Sequence, residues 1–348
     1  MADRTAQSYS KVLVIGDGSW GTSLAILLAK AGVETRLWSA FPEQTEALKR
    51  ERENKRFLPG VPLPETLTLT ADPYSGGKDV ELAVSVVPTQ FLRGVAEKFE
   101  DALHGSVPVV TATKGIEIET FMTPTGILAE SLGDRPTCVL TGPSHAEEVA
   151  VGKPASVVAA SQDETLAQRV QSTFSSDTFR VYTHGDPLGA ELGAALKNVI
   201  AIAAGISDGL GLGDNAKAAL LTRGMVEMAR FGRSRGASAA TFFGLAGMGD
   251  LVTTCCSKHS RNRAVGEAIG RGENIQDVLG GMTSVAEGVW TTKALFGPEA
   301  ELRGLTLPIA SEVHAVLFEG KGPREAVLDL MRREPTAEMD GLMEDLAS

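Results

Sequence analysis

Gly16, Gly18 and Gly21 stand in G-x-G-x-x-G spacing in the run VLVIGDGSWGTSLAILLAKAG, directly after a strand-like apolar stretch and directly before an amphipathic one. Gly16 permits a tight turn, Gly18 lets backbone N–H groups approach a pyrophosphate, and Gly21 lets helix and strand pack closely. The helix that follows would aim its partial positive charge at the anion. Three further segments could do chemistry. Lys114 in TATKGIE ends an apolar strand, which puts its ammonium at the carboxyl edge of a sheet, where ligands of open α/β sheets bind; an ordinary exposed strand-end lysine fits the same spacing. Lys197 in ELGAALKNVIAIAAG lies in a helix that is apolar on nearly every face. It must snorkel, pair with a carboxylate, or carry a pKa lowered by desolvation, and the last is what a proton donor working near neutral pH needs. In GLAGMGDLVTTCCSKHSRNRAVGEAIG, glycines lead to Asp250, and Ser260 begins a helix whose first turn holds Arg261 and Asn262. That helix start is either a phosphate site or a capped surface helix with an exposed arginine.

The elements that must position these residues follow from the apolar pattern. From Lys11 to about Val181, short β-branched runs (KVLVIG, ETRLW, VELAVSVVP, VPVVTAT, TCVLTG, ASVVAAS) alternate with helical stretches. This is the pattern of a mostly parallel sheet covered by helices. FLPGVPLPET, between Phe57 and Thr66, is expected to be an ordered loop because prolines punctuate it. After His184 the texture becomes helical, with apolar residues recurring at three and four positions. The expected architecture is therefore α/β: a Rossmann-like dinucleotide-binding domain over 1–184, then an all-α domain over 185–348. A chain of 348 residues exceeds what one hydrophobic core usually supports, which agrees with two domains.

Charge and composition exclude several classes. With 33 Lys+Arg against 44 Asp+Glu, the net charge is -11, so a broad nucleic-acid-binding face is not expected. Residues 223–263 depart from that balance, with seven bases (223, 230, 233, 235, 258, 261, 263) against two acids (227, 250), or +5. Three cysteines, two of them the adjacent Cys255 and Cys256, make neither a disulfide framework nor a zinc site, and no metal is expected. A reducing cytoplasm fits best, since the amino terminus carries no export signal. The apolar stretch Leu188–Ile206 contains Glu191, Lys197 and Asn198, so a buried helix is expected there rather than a membrane span. The corner after the second strand reads Trp38-Ser39-Ala40, with Arg36 upstream and Glu43 downstream, so neither the acidic signature of NAD nor the basic one of NADP is met.

Nine segments in order, GDGSWGT, NKRFLPG, VVPTQFLR, TKGIE, TGPSHAEEVAVGKP, LKNVIAIAAGISDGLGLGDNAKAAL, GLAGMGDLVTTC, SRNR and VAEG, resemble the motifs of the bacterial-type NAD(P)-dependent glycerol-3-phosphate dehydrogenases. The resemblance runs over nearly the whole chain; it departs at Trp38-Ser39-Ala40, which lacks the histidine or arginine often found there. It implies reversible reduction of dihydroxyacetone phosphate to sn-glycerol 3-phosphate, the entry to glycerophospholipid biosynthesis, with NAD or NADP as cofactor. By this similarity Lys197 donates and accepts the proton at C2, Asp250 holds that lysine or a substrate hydroxyl, and Lys114 stabilises the carbonyl oxygen or bridges cofactor and substrate. Ser260, Arg261 and Asn262 would bind substrate, Arg261 also reaching the cofactor. Gly142 and Ser144 would donate to the substrate, Ala146 would lie against the cofactor, Ser19 and Trp20 would cover the pyrophosphate turn, and Val285 and Glu287 would close over the cofactor. Family members are often dimers, so a homodimer is expected. A different two-domain dehydrogenase, or a dinucleotide sensor without catalysis, would share the glycine turn, because fold alone does not fix function.

Overall fold

A computed structural model describes residues 7–281, 286–300, 302, 305–335, 337 and 338. The chain divides into two compact units, Met1–Thr113 with Pro124–Pro187, and Lys114–Thr123 with Leu188–Ser348. The first alternates strand and helix: β1 (Lys11–Ile15), α1 (Ser19–Lys30), β2 (Glu34–Trp38), α2 (Pro42–Glu51), β3 (Glu53–Asn54), β4 (Leu58–Pro62), β5 (Thr68–Thr70), α3 (Pro73–Gly77) and β6 (Leu82–Ser85). It continues through α4 (Thr89–Ala96), β7 (Val109–Thr111), α5 (Pro124–Leu132), β8 (Thr137–Thr141), α6 (Ala146–Ala150), β9 (Ala155–Ala160), α7 (Glu164–Phe174) and β10 (Phe179–His184).

Eight strands form one sheet in the order β10-β9-β8-β7-β6-β1-β2-β5, and every neighbouring pair is parallel except β8 with β9. The central strands are buried on both faces, which is why β1, β6 and β7 read as continuous apolar runs rather than alternating ones. From β1 the chain winds outward through β2 and β5, then returns to β6 on the other side of β1. That reversal opens a crevice at the carboxyl ends of β1 and β6, the place where open α/β sheets take ligands. The proline-rich stretch expected as a loop contains β4, which pairs antiparallel with the two-residue β3. Only five residues long, with prolines at its second and last positions, it lies apart from the main sheet, where a missing N–H is tolerated.

The second unit is helical: α8 (Pro187–Gly209), α9 (Asp214–Ser234), α10 (Ala239–Phe242), a π-turn at Leu245–Gly249, α11 (Asp250–Cys256), α12 (Arg261–Gly270), α13 (Ile275–Gly280), α14 (Glu287–Leu295), α15 (Pro308–Phe318) and α16 (Pro323–Arg332). It also takes in Lys114–Thr123, which follows β7 in the chain. The reason is apolar: Ile116 is fully buried in the helical core, and the Phe121 ring lies 6.3 Å from that of Phe231. Sequence continuity had assigned this segment to the sheet. The helix α8 is long and apolar enough to cross a membrane, yet most of it is buried inside the unit, as a core helix is.

Close backbone contact fixes how α12 meets α8. A Cβ on Gly205 would lie 2.0 Å from the Arg263 carbonyl oxygen, and one on Gly266 would lie 2.0 Å from that of Ile202. Gly205→Ala should therefore push the helices apart and destabilise the protein by about 1 to 3 kcal/mol, the cost of overpacking. Urea denaturation checks this, and unchanged stability would contradict the contact.

Candidate active site

The glycine-rich turn lies at the carboxyl end of β1. Gly16 has a φ of 110° and touches the sheet so closely that a Cβ would approach the Val86 carbonyl oxygen to 3.0 Å. A Cβ on Gly21 would fall 1.9 Å from the Gly16 carbonyl oxygen, so this glycine is required for α1 to pack against the turn. Gly18 is different. A Cβ there would meet no atom within 4 Å, so packing within the chain does not demand a glycine. Gly18 is also the N-cap of α1 and makes no side-chain cap bond, leaving Ser19 and its neighbours as the open end of a 12-residue helix. A cradle of this shape fits an anion bound by backbone N–H groups, and the dinucleotide pyrophosphate is such an anion.

Trp20 is half-buried beside the turn: its ring lies 6.3 Å from that of Phe179 and packs against the sheet's core cluster. Ala146 is buried at the start of α6, where its carbonyl oxygen accepts from the Ser23 hydroxyl and ties α6 to α1. Gly142, with a φ of 144°, has a reason of its own, since a Cβ would meet the Val157 backbone at 2.9 Å. The Ser144 hydroxyl donates to the Gly142 carbonyl at 2.9 Å, which commits its proton and leaves its oxygen to accept. Two exposed aromatics had no signal in the spacing argument: Phe41, just beyond β2, and Phe91, on the first turn of α4 beyond β6.

Within the helical unit, Lys114, Lys197 and Asp250 converge. Lys197 Nζ donates to Asp250 Oδ1 at 2.6 Å and to Thr254 Oγ1 at 2.7 Å, while Lys114 Nζ donates to Asp250 Oδ2 at 2.8 Å. The Thr254 hydroxyl donates in turn to the Asp250 carbonyl at 2.6 Å, one helical turn back. Each piece has a local cause. Gly193, four residues before Lys197 and on the same face of α8, packs against the π-turn so tightly that a Cβ would meet the Ala246 carbonyl oxygen at 2.8 Å. That contact brings Lys197 to the start of α11, and the π-turn, a feature common at functional sites, leads directly into Asp250.

Electrostatics distinguish the two lysines. Lys197 is 5% exposed, and burial drives its pKa down to about 7, against the attraction of Asp250 and with the repulsion of Lys114. Burial alone would raise Asp250, but the charges of Lys114 and then Lys197 outweigh it and hold the carboxyl below the usual range. One carboxylate thus faces two ammonium groups. Lys114 keeps 19% of its side chain in solvent and Lys197 only 6%, so desolvation bears mainly on Lys197.

A second polar chain fixes the start of α12. The Ser260 hydroxyl caps the helix by accepting from Arg263 N at 3.2 Å, and Arg261 is exposed at its first position. Asn262 is buried instead: its Nδ2 donates to Asn198 Oδ1 at 2.9 Å, and its Oδ1 accepts from Gly288 N at 2.9 Å. Asn198 follows Lys197 on α8, so the bridge ties the proposed phosphate site to the lysine cluster. Glu287 opens α14 beside Gly288; Val285 lies outside the described residues. Thr254 and Asn198 are the residues that motif reasoning missed. Thr254 was readable from its four-residue spacing to Asp250, which puts both on one face of α11.

The model of the NAD-dependent glycerol-3-phosphate dehydrogenase N-terminus matches residues 11–167, and that of the C-terminus matches residues 186–328. The glycerol-3-phosphate dehydrogenase (NAD(P)+) of Chlorobium limicola is 47% identical over 331 residues, 94% of this chain and 99% of its own. That of Geobacter metallireducens is 49% identical over 334 residues, 94% of this chain and 98% of its own. Among solved structures, a glycerol-3-phosphate dehydrogenase from Coxiella burnetii has a TM-score of 0.89 at 36% identity, covering 94% of this chain and 99% of its own. Two family models in chain order, relatives of nearly equal length and a shared fold agree with the geometry: this chain belongs to the NAD-dependent glycerol-3-phosphate dehydrogenase family.

Proposed function

We infer that the chain catalyses the reversible, NAD(P)H-dependent reduction of dihydroxyacetone phosphate to sn-glycerol 3-phosphate, for glycerophospholipid synthesis. The observation that carries the mechanism is the buried Lys197, bonded to Asp250 and Thr254. When bound, the reduced nicotinamide supplies a hydride to the substrate carbonyl carbon. The oxygen then needs a proton, and Lys197 Nζ is the donor; in the oxidation direction neutral Lys197 takes the proton back. Asp250 and Thr254 accept from that nitrogen and orient it. Lys114, held on the other carboxylate oxygen, places a positive charge where the carbonyl oxygen gains negative charge.

The first unit would hold the dinucleotide through the backbone of Gly16, Gly18 and Ser19 at the open end of α1, with Gly21 securing that helix and Ala146 against the cofactor. Trp20, half-buried against Phe179, remains with Ser19 the cover of the pyrophosphate turn. The start of α12 supplies the phosphate site: Arg261 as the charged contact, Ser260 and Asn262 as the frame that fixes its direction. By the family resemblance, Lys114, Arg261 and Glu287 remain cofactor contacts. Gly142 and Ser144 remain substrate contacts. A cytoplasmic homodimer is the expected form. Burial raises the Cys138 and Cys255 thiols to about 12 and keeps them unreactive.

The Lys197 position also leaves a mark on stability. Its folded pKa, about 7, lies below the unfolded value of 10.5, so between those pH values the unfolded chain holds more protons. The cost of burying the charged lysine is thus complete below pH 7 and is relieved as pH rises toward 10.5. Compared with Lys197→Met, the unsubstituted protein should gain stability over that window; a pH-independent difference in urea denaturation would contradict the lowered pKa. Lys197→Ala should reduce kcat at least about 100-fold, the range for losing a general acid, while dinucleotide binding survives. Near-normal turnover would refute the proton-transfer role. Arg261→Ala should mainly raise KM for dihydroxyacetone phosphate, by the equivalent of about 2 to 4 kcal/mol for a lost charge-assisted phosphate contact. An unchanged KM would place the phosphate elsewhere.

A further inference from the structure

The glycine-rich turn carries an acid that its proposed anion-binding role does not explain. Asp17 sits between Gly16 and Gly18, is 7% exposed, and its Oδ2 is buried without a hydrogen-bond partner among the described residues. Its backbone is pinned: the Asp17 carbonyl accepts from Thr22 Oγ1 at 3.1 Å and from Asn54 Nδ2 at 2.8 Å, and Asn54 is itself fully buried. The turn is tied to the carboxyl end of β2, where Gly16 N donates to the Trp38 carbonyl at 3.0 Å, which brings Asp17 to the corner that Ser39 begins. In dinucleotide-binding folds that end of the second strand meets the adenosine ribose, and an acid there favours a free 2′-hydroxyl. The strand itself supplies only Ser39 and Ala40. Its upstream base cannot serve a 2′-phosphate, because Arg36 Nη1 donates to the carbonyls of Ser75, Gly76 and Lys78, at 3.0, 3.3 and 2.5 Å, and Nη2 pairs with Glu34. Arg56 is the charge that opposes Asp17 most directly, and it lies over the Phe57 ring.

We propose that Asp17 supplies, from the glycine turn, the acidic selectivity element that β2 lacks, so that the protein discriminates against a 2′-phosphate and prefers NAD(H) to NADP(H). The inference rests on the reading that the first unit binds a dinucleotide. Because the unpartnered oxygen is enclosed, the carboxylate acts through its field: little water screens it from a nearby doubly charged phosphate, so repulsion is strong at short range. A neutral 2′-hydroxyl escapes it. Burial raises the Asp17 pKa, opposed by the Ser39 hydroxyl, its own backbone N–H and Arg56.

The test is equilibrium binding of NADH and NADPH, by nucleotide fluorescence, to the full chain and to Asp17→Asn and Asp17→Ala. The expected result is tighter NADPH binding in both variants, by about 5- to 30-fold, with NADH changed less than about 3-fold. Equal shifts for the two nucleotides, or none, would overturn the assignment. Should both variants fail to fold, displacement of NADH from the unsubstituted protein decides: 5′-ADP should compete better than 2′,5′-ADP, and the reverse order would overturn it. If neither nucleotide binds the unsubstituted protein, the dinucleotide reading itself falls and Asp17 with it.

Discussion

A single buried carboxylate holds two ammonium groups, and the helical unit is arranged around it. Asp250 is 2% exposed and would be costly to ionise alone, yet with Lys114 on one oxygen and Lys197 on the other it stays charged. The reverse holds for Lys197, which burial would neutralise and Asp250 keeps close to balance. A group poised between its two forms near neutral pH can give or take a proton with little driving force wasted, which suits a reaction that runs in both directions. Removing the carboxylate would leave two uncompensated cations, so the interaction proposed for catalysis also bears on stability.

That arrangement depends on small residues and irregular backbone. Gly193 allows α8 to touch the π-turn, the π-turn delivers Asp250 to the head of α11, and Thr254 completes the lysine's bonds from the next turn of that helix. Further along α8, Gly205 admits the α12 backbone, and Asn198 reaches Asn262 at that helix's first turn. One long core helix therefore sets both the lysine proposed as proton donor and the helix start proposed for the phosphate. The chain's negative balance is no obstacle to anionic ligands, because local charge governs a site: Lys114, Lys197 and Arg261 all belong to the helical unit.

Much of this was legible in the residues. Each of the six apolar runs became a strand of the main sheet, since parallel strands buried on both faces cannot avoid looking apolar. The glycine turn was readable because two of its glycines answer to backbone clashes and the third to open space. Contacts distant in the chain were harder to see. Lys114 looked like a strand-end lysine because its tie to Asp250 spans 136 positions, and its segment leaves the sheet for the helical core through Ile116. The contact of Trp20 with Phe179, far along the chain in β10, had no local signal either. Asn262 read as a substrate-binding amide at the helix start, and its bonds to Asn198 and Gly288, distant in the chain, had no local signal. Local pattern reports which residues can act; long-range packing decides which partners they meet.

The central claim is that Lys197, balanced by Asp250, titrates near neutrality and moves the substrate proton. The most direct measurement is kcat/KM against pH in both directions. The account predicts that reduction of dihydroxyacetone phosphate falls about tenfold per pH unit above a limb near 7, with oxidation of sn-glycerol 3-phosphate rising through the same limb. In Asp250→Asn, where the attraction that favours the charged lysine is gone, the limb should move to lower pH. Profiles flat through neutrality in both directions, or a limb that Asp250→Asn leaves in place, would contradict it.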